Sequence, residues 1–204
     1  MHQDILDILK AAKTGDSLAV YSKTFFGFWI RRMLSLGLHK CYTNHNAPVY
    51  CLAGRLMMLQ IEAPKAHEEY LIDYLTDLYN KGGQAILLRP DVYDEQGVSE
   101  ESSAYLKYCW QAMRGKEYDN PSIKQILRMV LRYAPHADEN TKDRIYCTEG
   151  TVTPILDNTL QPWKPDILRN EPFPAPIHFE HLVRQGRLVF KAGNKKLYEQ
   201  IKNG

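Results

Sequence analysis

Pro48-Val49-Tyr50-Cys51-Leu52 and Leu56-Met57-Met58-Leu59-Gln60-Ile61 are two apolar runs joined by Ala53-Gly54-Arg55. Short apolar runs separated by a turn glycine predict a β-hairpin, with Gly54 supplying the turn. Upstream, Ser17 to Tyr21 predicts a short buried strand. Downstream, Ala85 to Leu88 predicts another, closed by Arg89-Pro90. Helical spacing surrounds these strands. Ile5, Leu6, Ile8, Leu9 and Ala12 mark a first helix that ends near Thr14-Gly15. Phe25 to Leu38 predicts a second helix and Glu68 to Tyr79 a third, stopped by Lys81-Gly82-Gly83. Ser99 to Met113 predicts another, with Ser99 as N-cap, and Asn120-Pro121-Ser122 opens a helix over Ile123 to Tyr133. A polar loop, Pro135 to Asp143, leads to Ile145-Tyr146-Cys147, which opens the next element. The expected fold class is α+β, a small antiparallel sheet packed against helices.

Five prolines between Asn158 and Pro176 exclude regular helix or central strand there and predict an extended strap across the surface. His178 to Gln185 then predicts a short helix and Arg187 to Phe190 a last strand. The expected organisation is an N-terminal helix over residues 1–14, a main domain over 15–157, and a strap and C-terminal extension over 158–204 packed on the same domain.

With 204 residues the chain is long enough to bury a core without staples. A net charge of +2, with no basic run interleaved with aromatics, points away from nucleic acid. No run of eighteen apolar residues occurs, and the N-terminus, with Asp4, Asp7 and Lys10, is an amphipathic helix rather than a signal peptide. The expected compartment is the cytoplasm; a phage-associated setting also fits. Four cysteines, none in a CxxC pair, have to be judged singly as core filler, ligand or nucleophile.

Cys147 carries the sharpest chemistry. At a helix start, free N–H groups and the positive end of the dipole stabilise a thiolate, and its own N–H can donate to an oxyanion. The competing role is a buried structural thiol. Gly150, three β-branched residues and Pro154 make the following helix a poor one, so it has to be short, kinked or delayed. His45 stands where the polar segment Tyr42-Thr43-Asn44 enters the first hairpin strand, a rim position suited to a base. Glu62 ends the second strand and folds back to the end of the hairpin that carries His45. There it can fix the imidazole tautomer, the orienting role of a third triad member. Gln60, on the same strand face one step deeper, is the alternative for that role.

These stretches occur in an order that resembles a known family. Gly15-Asp16-Ser17-Leu18 after an N-terminal helix, His45 at a strand start, Ile61-Glu62-Ala63, Tyr118-Asp119 and Tyr146-Cys147-Thr148-Glu149 are similar to the YiiX/YebB-like permuted NlpC papain-fold hydrolases. The resemblance spans about Gly15 to Leu156. It implies a circularly permuted papain-like fold with His preceding Cys, and a thiol peptidase or amidase activity without cofactor or metal. Cys147 then matches the nucleophile, His45 the base and Glu62 the third member, while Asp16 and Asp119 match structural positions. Asn46-Ala47-Pro48 and the Gly150 to Pro154 stretch depart from the family pattern.

The implied substrate is a peptide, a cell-wall peptide or an acyl lipid, cleaved at an amide, ester or thioester. Three other readings stand beside it. Phe25 to Ile30 followed by Arg31-Arg32 can lie on a membrane surface, aromatics down, as in a lipid or acyl-group transferase or hydrolase. Cys41, His45 and Cys51, with His39 near and His178-x2-His181 beyond, form a weak zinc pattern. The poor helix after Cys147 suits a degenerate papain-like fold that only binds a partner.

Overall fold

The computed structural model describes residues 2–35, 40–118, 144–145, 147–169 and 175–204. In it the hairpin is the middle of a larger sheet. The elements are α1 (Gln3–Ala11), β1 (Asp16–Tyr21), α2 (Phe25–Leu34), β2 (His45–Leu52), β3 (Arg55–Gln60), β4 (His67–Tyr70), α3 (Leu71–Asn80), β5 (Gln84–Pro90), α4 (Asp91–Gln96) and α5 (Glu100–Ala112). They continue with β6 (Glu117–Tyr118), β7 (Arg144–Ile145), α6 (Cys147–Leu156), α7 (Asp166–Arg169), α8 (Pro176–Arg184), β8 (Leu188–Gly193) and α9 (Lys195–Asn203). Six strands form one sheet in the order β4-β3-β2-β1-β5-β8, and every neighbouring pair is antiparallel. The fold class is α+β, as the sequence predicts.

The sheet is covered on both faces. Leu18, Val20, Val49, Met58 and Leu87 face α1 and α3, where they bury Ile5, Ile8, Leu71 and Leu75. Ala19, Tyr50, Leu59, Ile86 and Leu88 alternate with them and face a larger core built by Trp110, Val152, Phe179, Leu182 and Ile201. Burial on both faces explains why the hairpin strands read as continuous apolar runs rather than alternating ones. The hairpin turn has positive φ at both Ala53 (48°) and Gly54 (76°), the geometry that matches strand twist.

The predicted helices over the described residues occur, and Ser99 caps α5 by accepting from the Ser102 N–H at 3.1 Å. Three expectations are corrected. Glu68 to Tyr79 is not one helix: its first residues form β4, because the outer edge of β3 takes a partner strand over Met57 to Gln60. The described part of the proline-rich segment lies only half at the surface: Leu160, Pro162 and Lys164 are exposed, but the residues between them turn inward. Asn158, Gln161 and Trp163 are buried, and they bond to the Tyr93 hydroxyl, the Gly97 carbonyl and Asp91 at 3.1, 2.7 and 2.8 Å. It also holds one turn of helix, α7. Beyond the last predicted strand, α9 adds a helix whose Leu197 and Ile201 are buried. The helix over Ile123 to Tyr133, the loop over Pro135 to Asp143, Asp119, Tyr146 and His39 lie outside the described residues.

α6 starts at Cys147 and runs to Leu156 with Pro154 inside it. Pro154 has no N–H for the carbonyl four residues back, which belongs to Gly150. The indole N–H of Trp110 donates to that carbonyl instead, at 3.1 Å. The Thr151 hydroxyl bonds back to the Cys147 carbonyl at 2.7 Å. A helix that is poor by local propensity is thus completed by a side chain from α5.

Candidate active site

His45 opens β2, opposite Val20 of β1. Its side chain therefore leaves the sheet on the face that α3 covers. The next residue, Asn46, points to the other face, where α6 lies. There the Asn46 Nδ2 donates to the Thr148 hydroxyl at 3.1 Å, which pins the start of α6 to the start of β2. The Cys147 thiol, 7% exposed, is held at this junction. The His45 ring and the Asn46 backbone N–H both stand close enough to act on its ionisation, and its Sγ is 3.8 Å from the Thr148 hydroxyl. The two residues are 102 positions apart in the chain.

Behind His45 stands Gln60, 1% exposed, whose Oε1 is 2.6 Å from His45 Nε2. An amide oxygen only accepts, so Nε2 carries the proton and Nδ1 is left for the thiol. Gln60 also acts on the Tyr74 hydroxyl and the Glu69 carboxylate, working against the burial that raises the pKa of each.

The electrostatics follow from these contacts. Burial pushes the Cys147 thiol up, but the His45 hydrogen bond, the imidazolium charge, the Asn46 N–H and the Thr148 hydroxyl carry it below the ordinary thiol value. Burial works to lower the His45 pKa, yet the Cys147 hydrogen bond and charge, Gln60 and the Glu62 charge together raise it. Both shifts favour a thiolate–imidazolium pair. Cys41 is the opposite case. Burial and the neighbouring Glu180 carboxylate push it far up, and its thiol points at the Thr43 carbonyl at 3.2 Å.

Glu62 does not hold the imidazole. β3 ends at Gln60, and Glu62 lies beyond it as an exposed residue that reaches His45 through its charge alone. The ring contact goes to the alternative candidate, Gln60. Gln60→Ala should therefore raise the Cys147 pKa by about one unit and slow its alkylation near pH 6 by about tenfold, the worth of one charge-assisted hydrogen bond. Glu62→Gln should change the same rate by less than about fivefold, because a solvent-screened charge contributes at most ~1 kcal/mol. Rates of iodoacetamide labelling at Cys147 in the two variants decide between them.

A cavity of about 750 Å³ opens beside the ring, lined by His45, Ile61, Glu62 and Tyr74. Gly27 and Ile30 of α2 form one wall, and Asp77 and Leu78 of α3, with Lys81 just beyond its end, form another. Among the described residues no group of three His, Cys, Asp or Glu side chains is arranged to hold a metal ion.

No family model matches the sequence, and no curated protein matches it. Among solved structures the chain is similar to that of the metalloprotein YiiX from Escherichia coli O157:H7 (DUF1105). The identity is 16%, the TM-score 0.49, and the match covers 72% of this chain and 66% of that one.

Proposed function

We propose that this chain is a cysteine-dependent hydrolase of the permuted papain-like type, acting through an acyl-enzyme on an amide, ester or thioester bond. The observation that carries the proposal is the pairing of Cys147, at a helix N-terminus, with a histidine whose far nitrogen is held by a buried amide. The Cys147 thiolate attacks a carbonyl carbon presented at the His45 end of the cavity. The Cys147 N–H, at the first turn of α6 where no intrahelical carbonyl takes it, donates to the oxygen that becomes negative. The His45 imidazolium gives its proton to the leaving amine, alcohol or thiol as that bond breaks. Neutral His45 then takes a proton from water, whose oxygen displaces sulfur from the acyl carbon. Gln60 keeps the ring oriented through both steps.

One observation favours a variant of this activity. α2, which walls the cavity, exposes Phe28 (54%) and Trp29 (47%) ahead of Arg31 and Arg32. Two exposed aromatics beside the site suit an acyl-lipid substrate drawn from a membrane surface. Among the described residues no helix is long and apolar enough to cross a membrane.

The test needs no substrate. Cys147 should be the fastest of the four thiols to react with iodoacetamide, with a rate that rises through a pKa below the ordinary thiol value of about 8.5 and then levels off. Because its folded pKa is lowered, the excess reactivity is present above that pKa and is lost as pH falls through it. Peptide mapping after labelling reads the sites separately. Equal labelling of Cys41 and Cys147 would remove the case for an activated nucleophile and favour a binding-only role.

A further inference from the structure

Glu180 is a carboxylate in the core, 1% exposed, on the face of α8 that also buries Phe179 and Val183. An unpaired charge there would be costly, so its contacts need to be accounted for. One oxygen, Oε1, accepts the backbone N–H of Tyr42 at 2.7 Å, the backbone N–H of Thr43 at 2.6 Å and the Thr43 hydroxyl at 2.8 Å. The Cys41 thiol points at the same oxygen from 3.7 Å. On the other oxygen, Arg184 Nη2 stands at 3.5 Å and also reaches the Lys40 carbonyl at 3.4 Å. Arg184 Nε donates to the Ile201 carbonyl at 2.9 Å, which ties the assembly to α9.

The clasped residues lead directly into the candidate base. Asn44 follows Thr43, and it is anchored from the opposite side. Its N–H donates to the Val20 carbonyl at 2.9 Å, and its Oδ1 accepts from the Ser22 N–H at 2.8 Å and from Arg31 at 2.9 Å. His45 comes next. The backbone that delivers the imidazole is therefore gripped on one side by β1 and α2 and on the other by a carboxylate from the C-terminal helices. A packing helix needs no charge at this position, and an apolar residue would fill it at lower cost. The backbone N–H groups of Tyr42 and Thr43 precede β2 and lack ladder partners, and a charged acceptor holds such donors more firmly than a neutral one.

We propose that Glu180 is a positioning residue for His45, fixing the Tyr42-Thr43 backbone so that the ring enters β2 between Gln60 and Cys147. The proposal rests on the cysteine-hydrolase reading and adds a requirement to it: the C-terminal helices form part of the site's support.

The experiment compares the full-length chain with Glu180→Ala, Glu180→Gln and Thr43→Val. For each, the second-order rate of Cys147 alkylation by iodoacetamide is measured from about pH 5 to pH 9, a range that brackets the imidazole and thiol titrations. Near-UV circular dichroism and melting curves establish that rates are read on folded protein. The expected result is a graded upward shift of the Cys147 titration. Glu180→Ala should move it by about one unit, a roughly tenfold slower reaction near pH 6. Glu180→Gln, which keeps an oxygen acceptor, should move it less, and Thr43→Val, which removes one of three close donors, least. The last two nearly preserve shape, so they carry the test if Glu180→Ala does not fold. Folded variants with the same alkylation profile as the intact chain would overturn the proposal and leave Glu180 as a fastener of α8 alone. If the intact chain itself showed no displaced Cys147 titration, the cysteine-hydrolase reading would fall, and this proposal with it. The two failures are told apart by the unsubstituted protein.

Discussion

Cys147→Ser should abolish turnover, by about 10⁴-fold or more, as loss of a nucleophile does in hydrolases that use an acyl-enzyme. The serine keeps the size of the side chain and can accept from the Asn46 N–H, so the helix start is preserved. What it loses is acidity. The contacts that lower the thiol's pKa leave a hydroxyl, which is far less acidic, protonated, and a base suited to a thiol does not readily deprotonate an alcohol. The melting temperature should stay within a few degrees, because the substitution opens no sizeable cavity. The assay is hydrolysis of a panel of peptide amides, acyl esters and thioesters, with lipid vesicles added in a parallel set. Retained activity in the serine variant would move the chemistry elsewhere in the molecule. Turnover only with vesicles present would select the membrane-surface variant suggested by Phe28 and Trp29. No turnover by the intact chain on any substrate would favour the binding-only role.

Asp16→Ala should cost about 3 kcal/mol of folding stability, at the lower end of what breaking a buried ion pair costs. The Asp16 carboxylate is fully buried and takes Arg89 Nε at 2.6 Å, Arg89 Nη2 at 2.9 Å and the Lys13 N–H at 2.8 Å. Burial pushes the Asp16 carboxyl up while Arg89 pulls it back, and the two-point geometry is that of an ionised pair. Removing the acid leaves Arg89, 7% exposed, with only the Ala11 carbonyl at 3.1 Å and Asp94 at 3.8 Å among the described residues. In a chain of this size ~3 kcal/mol corresponds to a fall of roughly 6–12 °C in Tm. Urea denaturation gives the free energy directly, and a loss under about 1 kcal/mol would show the pair to be dispensable. A double variant, Asp16→Leu with Arg89→Met, should recover part of the loss, since it removes the stranded charge as well. The pair sits where β1 begins, beside Gly15, whose φ of 96° lets the backbone pass close to the Tyr93 ring.

Local chemistry made a good part of this structure legible. The hairpin was readable because Gly54 has a turn conformation between two apolar runs, and α5 because Ser99 is a side-chain cap. His45 and Cys147 were readable as candidates because each stands at the first residue of an element, where a functional side chain can be rigid and still reach a cleft. Local propensity also misled. Glu68 to Tyr70 carries a helical pattern, yet the open edge of β3 recruits it as a strand, a tertiary hydrogen-bonding demand that periodicity does not register. The proline segment reads as a surface strap, and half of its described residues are exposed, but the spacing does not show that Asn158, Gln161 and Trp163 are buried, because their partners lie elsewhere in the chain.

The sequence by itself determined the α+β class, the central hairpin and the cap of α5, and it singled out His45 and Cys147 as candidates for base and nucleophile. Those rest on interactions within a few residues, which spacing encodes. Only the tertiary structure decided that Gln60 rather than Glu62 meets the imidazole, because that turns on where β3 stops. It also decided that Trp110 completes the helix broken by Pro154, and that Glu180, 135 residues beyond His45, grips the strand entry. The one local trace of Glu180 is a charge at a helix position whose neighbours Phe179 and Val183 are core residues. A buried carboxylate is stable only with partners, and when those partners come from the far end of the chain, spacing along the sequence does not show them.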